Sequence, residues 1–301
     1  TDIEGFSAKD AVGYLNGVGQ SVAAFKNGSI LKVHVHTFTP GKVLEHFQKY
    51  GEFLTVKIEN MNLQHSGHEA ALSMKAEKQE RRKKYAVVTV ASGEGIKKTF
   101  EELGADVVIS GGQCKNPSAE DFMAAFDKAN ADNIFVLPNN GNIIMAAQQC
   151  AALTEKQVVV IPTKTVPQGI TAMMNVDFDA PDAQTITDAM TGSLSSVTTA
   201  QITYAARDSD FDGFAIKEGD YLALEEGKLF DTDDSLDTLL HKLAEDAAGR
   251  EASFISLYFG EDVQEADAQK AGALFEEVCP GAEVAVLSGG QPVYYYIISM
   301  E

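Results

Sequence analysis

His34-Val35-His36 is the segment of this chain with the clearest capacity for chemistry. On a strand, residues two apart share a face, so both imidazoles point one way and Val35 the other. Two imidazoles so placed supply half of a zinc site; a stable site needs a third and usually a fourth ligand. His65, His68 or neighbouring Asp and Glu side chains are the candidates in the sequence. An exposed strand face that carries two histidines without metal accounts for the same residues, and both readings stand at this point.

Three further segments imitate known sites and fall short of them. Asp208-Ser209-Asp210-Phe211-Asp212-Gly213 copies the first half of an EF-hand loop, but the bidentate acid of the twelfth position falls on Gly219. A turn between strands explains the same Asp and Gly residues. Ser92-Gly93-Glu94-Gly95-Ile96 sits where a phosphate loop would, yet lacks the P-loop lysine, so Ser92 is expected to cap the following helix. Cys114 has Lys115 beside it, which lowers a thiol pKa, but no histidine lies between His68 and His241 to complete a nucleophilic pair.

Amide-rich loops are the more informative feature. Ser110 to Ser118, Leu137 to Ile143 and Ile161 to Gly169 each follow a short apolar run and precede a helical pattern. In an open α/β sheet, the loops leaving the carboxyl ends of neighbouring strands converge on one edge, where such folds bind their ligands. Gln113, Asn116, Asn139, Asn140, Asn142, Lys164 and Gln168 are therefore the candidate binding residues. Amides donate and accept without changing protonation state, which suits recognition better than proton transfer. No catalytic set emerges.

The elements that must position these loops are legible in the periodicity. From Tyr85 onward strand and helix alternate: 86–90, 107–109, 134–137 and 158–161 are short, continuous runs rich in Val and Ile, as parallel strands buried on both faces require. Ser118 is placed as an N-cap with Asp121 at the third helical position. After a helix predicted over 183–196, short antiparallel strands are expected at 199–205, 213–216, 221–224 and 228–230. A last α/β stretch follows, with strands at 254–259, 283–287 and 293–299. Its loop Ser288-Gly289-Gly290-Gln291 echoes Ser110-Gly111-Gly112-Gln113.

Before Tyr85 the pattern is different. A capped helix near Ser7, a hairpin around Asn27-Gly28, a helix opened by Pro40-Gly41 and a strand at 55–58 make a small α+β unit. The expected division is 1–84 and 85–301, the latter in two lobes, 85–197 and 198–301. The fold class expected is thus α/β: a small α+β domain, then a two-lobed α/β domain with a parallel sheet and an antiparallel insertion.

The chain has 301 residues, 45% of them hydrophobic, enough for more than one buried core. No apolar run approaches the roughly 18 residues that span a bilayer. The three cysteines are too few and too widely spaced for a disulfide framework, which points to the cytoplasm. The start, Thr1-Asp2-Ile3-Glu4, has neither Met nor a signal pattern and reads as the beginning of a fragment. Charge is uneven: 1–84 holds 12 basic and 9 acidic side chains, 85–301 holds 12 and 35. A field of that sign disfavours nucleic acid and anionic membranes.

Across nearly its whole length the chain resembles the part of the fatty acid kinase A-subunit family that follows that family's dihydroxyacetone-kinase-like ATP domain. The strings that carry the resemblance are Lys32-Val33-His34-Val35-His36-Thr37 with Pro40-Gly41, Lys57-Ile58-Glu59-Asn60-Met61 with Gln64-His65, the three loops above, Thr203-Tyr204-Ala205-Ala206-Arg207-Asp208, and Gly289-Gly290-Gln291-Pro292-Val293-Tyr294. The resemblance implies a middle domain associated with metal binding and dimerisation, followed by a domain of DegV-like fold implicated in docking a separate DegV-type fatty-acid-binding protein. It makes His34 and His36 match zinc ligands, with a completing Cys upstream, at or before Thr1, so that the site is incomplete in this chain. It implies that ATP and Mg enter only through an amino-terminal domain, and that fatty acid phosphorylation belongs to the joined protein.

Three functions follow as expectations. The first is a scaffold that forms a homodimer and docks the DegV-type partner for acyl phosphate formation, without kinase activity of its own. The second is a free-standing DegV-like protein that binds a lipid or small ligand. The third is a phosphatase-type hydrolase, which the missing catalytic set weakens.

Overall fold

The computed structural model describes residues 8–27, 30–58, 82–112, 115–211 and 214–301. The chain divides into two compact units, Thr1–Gln79 and Glu80–Glu301.

In the first unit, helix α1 (Ala8–Asn16) precedes a hairpin of β1 (Gln20–Asn27) and β2 (Ile30–His36), and α2 (Pro40–Phe47) follows. Pro40 stands in the first turn of α2, where its missing N–H costs nothing. The hairpin is antiparallel with Lys26 opposite Leu31 and Ala23 opposite His34, and its register shifts between Gln20 and Ala23. Ala11 and Leu15, four apart on α1, pack with Ala24 and Phe47 into a small core. The strand expected at 55–58 is not formed. That run is irregular and exposed, Leu54 at 77% and Ile58 at 57%, because β-rich apolar residues become a strand only by pairing, and no described residue pairs with them.

Among the described residues the second unit holds two large sheets and a small two-stranded one. Strands β3 (Lys83–Ala91), β4 (Val107–Ser110), β5 (Ala131–Leu137) and β6 (Gln157–Val160) form a wholly parallel sheet in the order β4-β3-β5-β6. Helices α3 (Glu94–Glu102), α4 (Ala119–Ala129), α5 (Gly141–Leu153), α6 (Val166–Met174) and α7 (Ala183–Ser193) cover it. Phe122 and Phe126 of α4 and Ile143, Ala147 and Cys150 of α5 pack on Val88, Val90 and Val136 at one face. Ile96, Phe100, Ile170 and Ile186 pack on Val87, Phe135 and Leu137 at the other. Burial on both faces is what the continuous apolar runs required.

The second sheet has six strands: β7 (Thr198–Tyr204), β10 (Tyr221–Glu225), β11 (Lys228–Asp233), β12 (Phe254–Phe259), β13 (Glu283–Ser288) and β14 (Tyr296–Met300), with β8 (Ser209–Phe211) and β9 (Phe214–Ile216) forming a separate hairpin. The order is β11-β10-β7-β14-β12-β13; only β12 and β13 are parallel. Helices α8 (Leu236–Gly249) and α9 (Glu265–Val278) cover one face through Leu239, Leu243 and Phe275 against Ile202, Leu257 and Ile298. Side chains alternate along a strand, so Tyr258 and Ile297 point the other way. They join the core beneath Phe100 and Ile170, and the two sheets thus share one buried layer.

Candidate functional site

The three loops lie at the carboxyl edge of the parallel sheet, as their position after β4, β5 and β6 dictates. Each is held by a cap. Ser118 and Asp121 form the expected capping box: the Ser118 hydroxyl accepts from the Asp121 amide at 3.2 Å and the Ser118 amide donates to the Asp121 carboxylate at 2.8 Å. The Ser118 amide and hydroxyl, each donating to the carboxylate at 2.8 Å, hold the Asp121 carboxyl below its usual pKa. Asn140 caps α5, accepting from Asn142 N at 2.9 Å, and Thr165 caps α6, accepting from Gln168 N at 3.3 Å.

The candidate binding residues separate into two groups. Asn139, Asn140 and Gln168 are buried and make hydrogen bonds inside the protein, although Asn139 Oδ1 is buried without a partner. Asn139 has left-handed backbone geometry (φ 54°); its amide N–H donates to Thr163 Oγ1 at 3.0 Å, and its side chain donates to Thr89 Oγ1 and to the Val90 carbonyl, each at 2.8 Å. Gln168 accepts from Lys164 N at 2.8 Å. Asn116, Asn142 and Lys164 face solvent. Gln113, with Cys114, lies outside the described residues.

Where this edge meets the second sheet there is a cleft. Ser92, Gly111, Gly112, Asn139 and Asn140 line it from one side, Gln201, Gln291 and Tyr294 from the other. Its volume is about 40 Å³, room for a few waters and far below the roughly 300–1,000 Å³ of small-molecule sites. Gln291, only 3% exposed, is fixed in its wall by donating to the carbonyls of Tyr258 and Tyr294 at 2.8 and 3.3 Å. The echo of Ser-Gly-Gly-Gln pointed to this loop, though not to the place of its amide.

Ser92 does not cap α3. Gly93 stands at the N-cap with φ 91°, a conformation that serine adopts with strain, and the Ser92 hydroxyl instead donates to the Gly111 carbonyl at 3.0 Å. The turn is pressed against the loop after β13: Ile96 N donates to the Gly289 carbonyl at 3.1 Å, and a Cβ on Gly95 would collide with the Ser288 carbonyl oxygen. The two Ser-Gly-Gly loops therefore both rest on this one turn.

In the first unit, His34 and His36 share a face of β2 with Nε2 atoms 3.1 Å apart. Two nitrogens bound to one tetrahedral zinc at about 2.0–2.1 Å stand roughly 3.3 Å from each other, so the pair fits as half of a site. Among the described residues no group of three or more His, Cys, Asp or Glu gathers, and His65 and His68 lie outside them. Asp208 accepts from Glu218 N at 2.7 Å, tying the base of the β8–β9 hairpin; Asp212 and Gly213 are outside the described residues. Cys150 and Cys279 are free and buried, and burial raises both thiol pKa values. Among the described residues no helix is long and apolar enough to cross a membrane.

Two family descriptions match the sequence: fatty acid kinase A-subunit-like, C-terminal, over residues 86–301, and fatty acid kinase A-subunit-like, middle domain, over residues 1–68. Protein YloV of Bacillus subtilis is 38% identical over 289 residues, which are 95% of this chain and 52% of YloV. The chain thus spans about half the length of such relatives. Among solved structures, DegV, a fatty acid binding protein from Bacillus subtilis, aligns with 72% of this chain and 99% of its own at a TM-score of 0.53 and 12% identity. The DegV family protein Cg2579 from Corynebacterium glutamicum aligns with 72% and 96% at 0.50 and 17%. At such identities the likeness is one of fold.

Proposed function

Because the chain belongs to the fatty acid kinase A-subunit-like family, we propose that it is the non-nucleotide-binding portion of a fatty acid kinase, a scaffold that docks a DegV-type fatty-acid-binding protein so that the bound carboxylate can be phosphorylated. In that reaction a carboxylate oxygen attacks the γ-phosphorus of ATP, giving an acyl phosphate and ADP. ATP and Mg²⁺ enter through a separate domain of the longer protein. The first unit serves as the pairing domain of a homodimer and binds zinc through His34 and His36, with ligands beyond the described residues. The protein works in the cytoplasm.

The observation that carries this reading is the small size of the cleft between the two sheets. A free-standing lipid carrier of DegV-like fold needs space for an acyl chain, and here Asn139 and Gln291 leave about 40 Å³. A DegV-like fold whose cleft at this edge is that small favours a docking role over a carrier role. The test is to mix the 301-residue chain with ATP, Mg²⁺ and the acyl-loaded partner. No acyl phosphate is expected without the nucleotide-binding domain, and turnover by this chain alone would refute the scaffold reading. Extraction of a stoichiometric fatty acid from the purified chain would favour the carrier.

A further inference from the structure

A carboxyl group stands at the layer that the two large sheets of the second unit share. Glu301 follows β14 and pairs with Phe254 of β12: its amide donates to the Phe254 carbonyl at 2.9 Å, and its carbonyl accepts from the Phe254 amide at 3.0 Å. Phe254 is in turn opposite Glu283 of β13, so Glu301, Phe254 and Glu283 form one cross-strand row on the face of Tyr258. Helix α6 lies over that face. The Thr171 hydroxyl on α6 donates to Glu301 Oε1 at 3.1 Å, and the Ser299 hydroxyl of β14 donates to the same oxygen at 3.1 Å. Beside these groups the layer is apolar, with Ile170, Ala172 and Met173 of α6 packed in one core with Tyr258 and Ile297.

Among the described residues no cation pairs with this carboxyl group. The groups turned to it are Thr171 from α6, Ser299 from β14 and the buried Tyr258 phenol from β12. Helix α6 contains no lysine or arginine. Glu283, the other titratable member of the row, is a carboxyl as well. On β7, Thr199 shares a hydrogen bond with Thr165 at 2.8 Å, and its amide donates to Glu226 at 2.7 Å. Arg250, before β12, is paired with Glu225 and Asp246. Burial raises the pKa of Glu301, opposed by the Thr171 and Ser299 hydroxyls, which favour the ionised form. The folded state therefore keeps a proton that the unfolded carboxyl loses near about pH 4.3, and the stability gained here declines as the pH climbs from there through the raised value. Lifting α6 is the movement that returns Glu301 to water.

We propose that Glu301 is a proton-operated latch on α6: protonated, it holds the helix against the second sheet, and ionised, it lets the helix lift. Because α6 carries Gln168 and follows Lys164, the latch makes the carboxyl edge of the parallel sheet respond to pH. Only the consequence for partner docking rests on the scaffold reading above. The test is hydrogen exchange of the 301-residue chain, read by mass spectrometry at about pH 5.5 and about pH 8.5 and corrected for the chemical exchange rate at each. The opening equilibrium of α6 should rise by about tenfold or more between the two, against less than about threefold for α4, which packs on the other face of the parallel sheet. Glu301→Gln should hold the change in α6 below about twofold. Thr171→Val should enlarge the rise, because it removes a hydroxyl that stabilises the ionised carboxylate; lost packing alone would raise opening equally at both pH values, and this variant also serves if Glu301→Gln does not fold. Glu283→Gln should leave the rise in place. A parent whose α6 opens equally at both pH values, an α4 that opens in step with α6, a Glu301→Gln variant that still responds, or a Glu283→Gln variant that does not, overturns the latch. None of these outcomes involves the partner, so the scaffold reading stands or falls separately.

Discussion

The side-chain amide of Asn139 donates a hydrogen bond to the hydroxyl of Thr89 at 2.8 Å, fixing the loop after β5 to the neighbouring strand β3. The same amide reaches the Val90 carbonyl at 2.8 Å, and all of these atoms are buried. Asn139→Ala removes both bonds, leaving Thr89 Oγ1 only its 3.5 Å bond to the Leu137 carbonyl, and should cost about 1–3 kcal/mol, lowering the thermal midpoint by several degrees. Asn142→Ala, which removes an outward-facing amide, should stay within about 0.5 kcal/mol. Equal melting of the two variants would show that Asn139 does not brace the edge.

The division of the amides into braces and exposed groups could not be read from their spacing. Asn139 and Asn142 look alike in sequence; what separates them is the left-handed backbone of Asn139 and the presence of Thr89 behind it, both consequences of the assembled sheet. The parallel strands were legible because burial on two faces leaves only apolar residues at 86–90 or 134–137, and the Ser118 cap because its partner Asp121 is three residues away. Ser92 misled because its acceptor, the Gly111 carbonyl, belongs to the next strand's loop. The run at 55–58 misled in the opposite sense: its strand-forming residues do not join a strand among the described residues.

Glu283, at the start of the edge strand β13, has a buried carboxylate oxygen without a hydrogen-bond partner, and burial raises its pKa to about 7. In the unfolded chain a Glu titrates near 4.3, so between about pH 4.5 and 7 the native state holds the proton that the unfolded state has lost. Stability contributed here therefore falls as the pH rises through that window. Glu283→Gln should stabilise the protein by roughly 1–2 kcal/mol at pH 8, after allowance for solvent screening of a half-buried group, and by nothing at pH 4. Urea unfolding at the two pH values measures the difference; an equal gain at both would mean that charge burial is not its cause.

Removal of a side chain's space offers a second stability test. Gly95→Ala places a methyl group against the Ser288 carbonyl, forcing the turn after β3 away from the loop after β13 at a cost of about 2–4 kcal/mol. Gly141→Ala, where a Cβ meets nothing within 4 Å at the start of α5, should be neutral or stabilising by up to about 1 kcal/mol. Circular dichroism melts of the pair would check this, and a Gly95 variant as stable as its parent would mean that the two loops separate freely.

For the first unit, elemental analysis of the longer protein should find about one zinc per chain, lost on replacing both His34 and His36 by Ala. Retention of zinc in that double variant would place the metal elsewhere. Retention of the fold after chelation would show that the first unit does not depend on the metal for its structure.

The hydrogen bond from Ile96 to Gly289 has a meaning in time as well as in space. Its acceptor is synthesised about 190 residues after its donor, an interval of roughly 10–40 s on a ribosome adding 5–20 residues per second. Through that interval the first turn of α3 has no carbonyl to receive its amide, and the parallel sheet waits with one loop unset. The last strands of the chain thus act as a clasp on the first of the parallel ones, so that a nascent or proteolysed chain ending before Ser288 leaves the carboxyl edge of the parallel sheet unfinished.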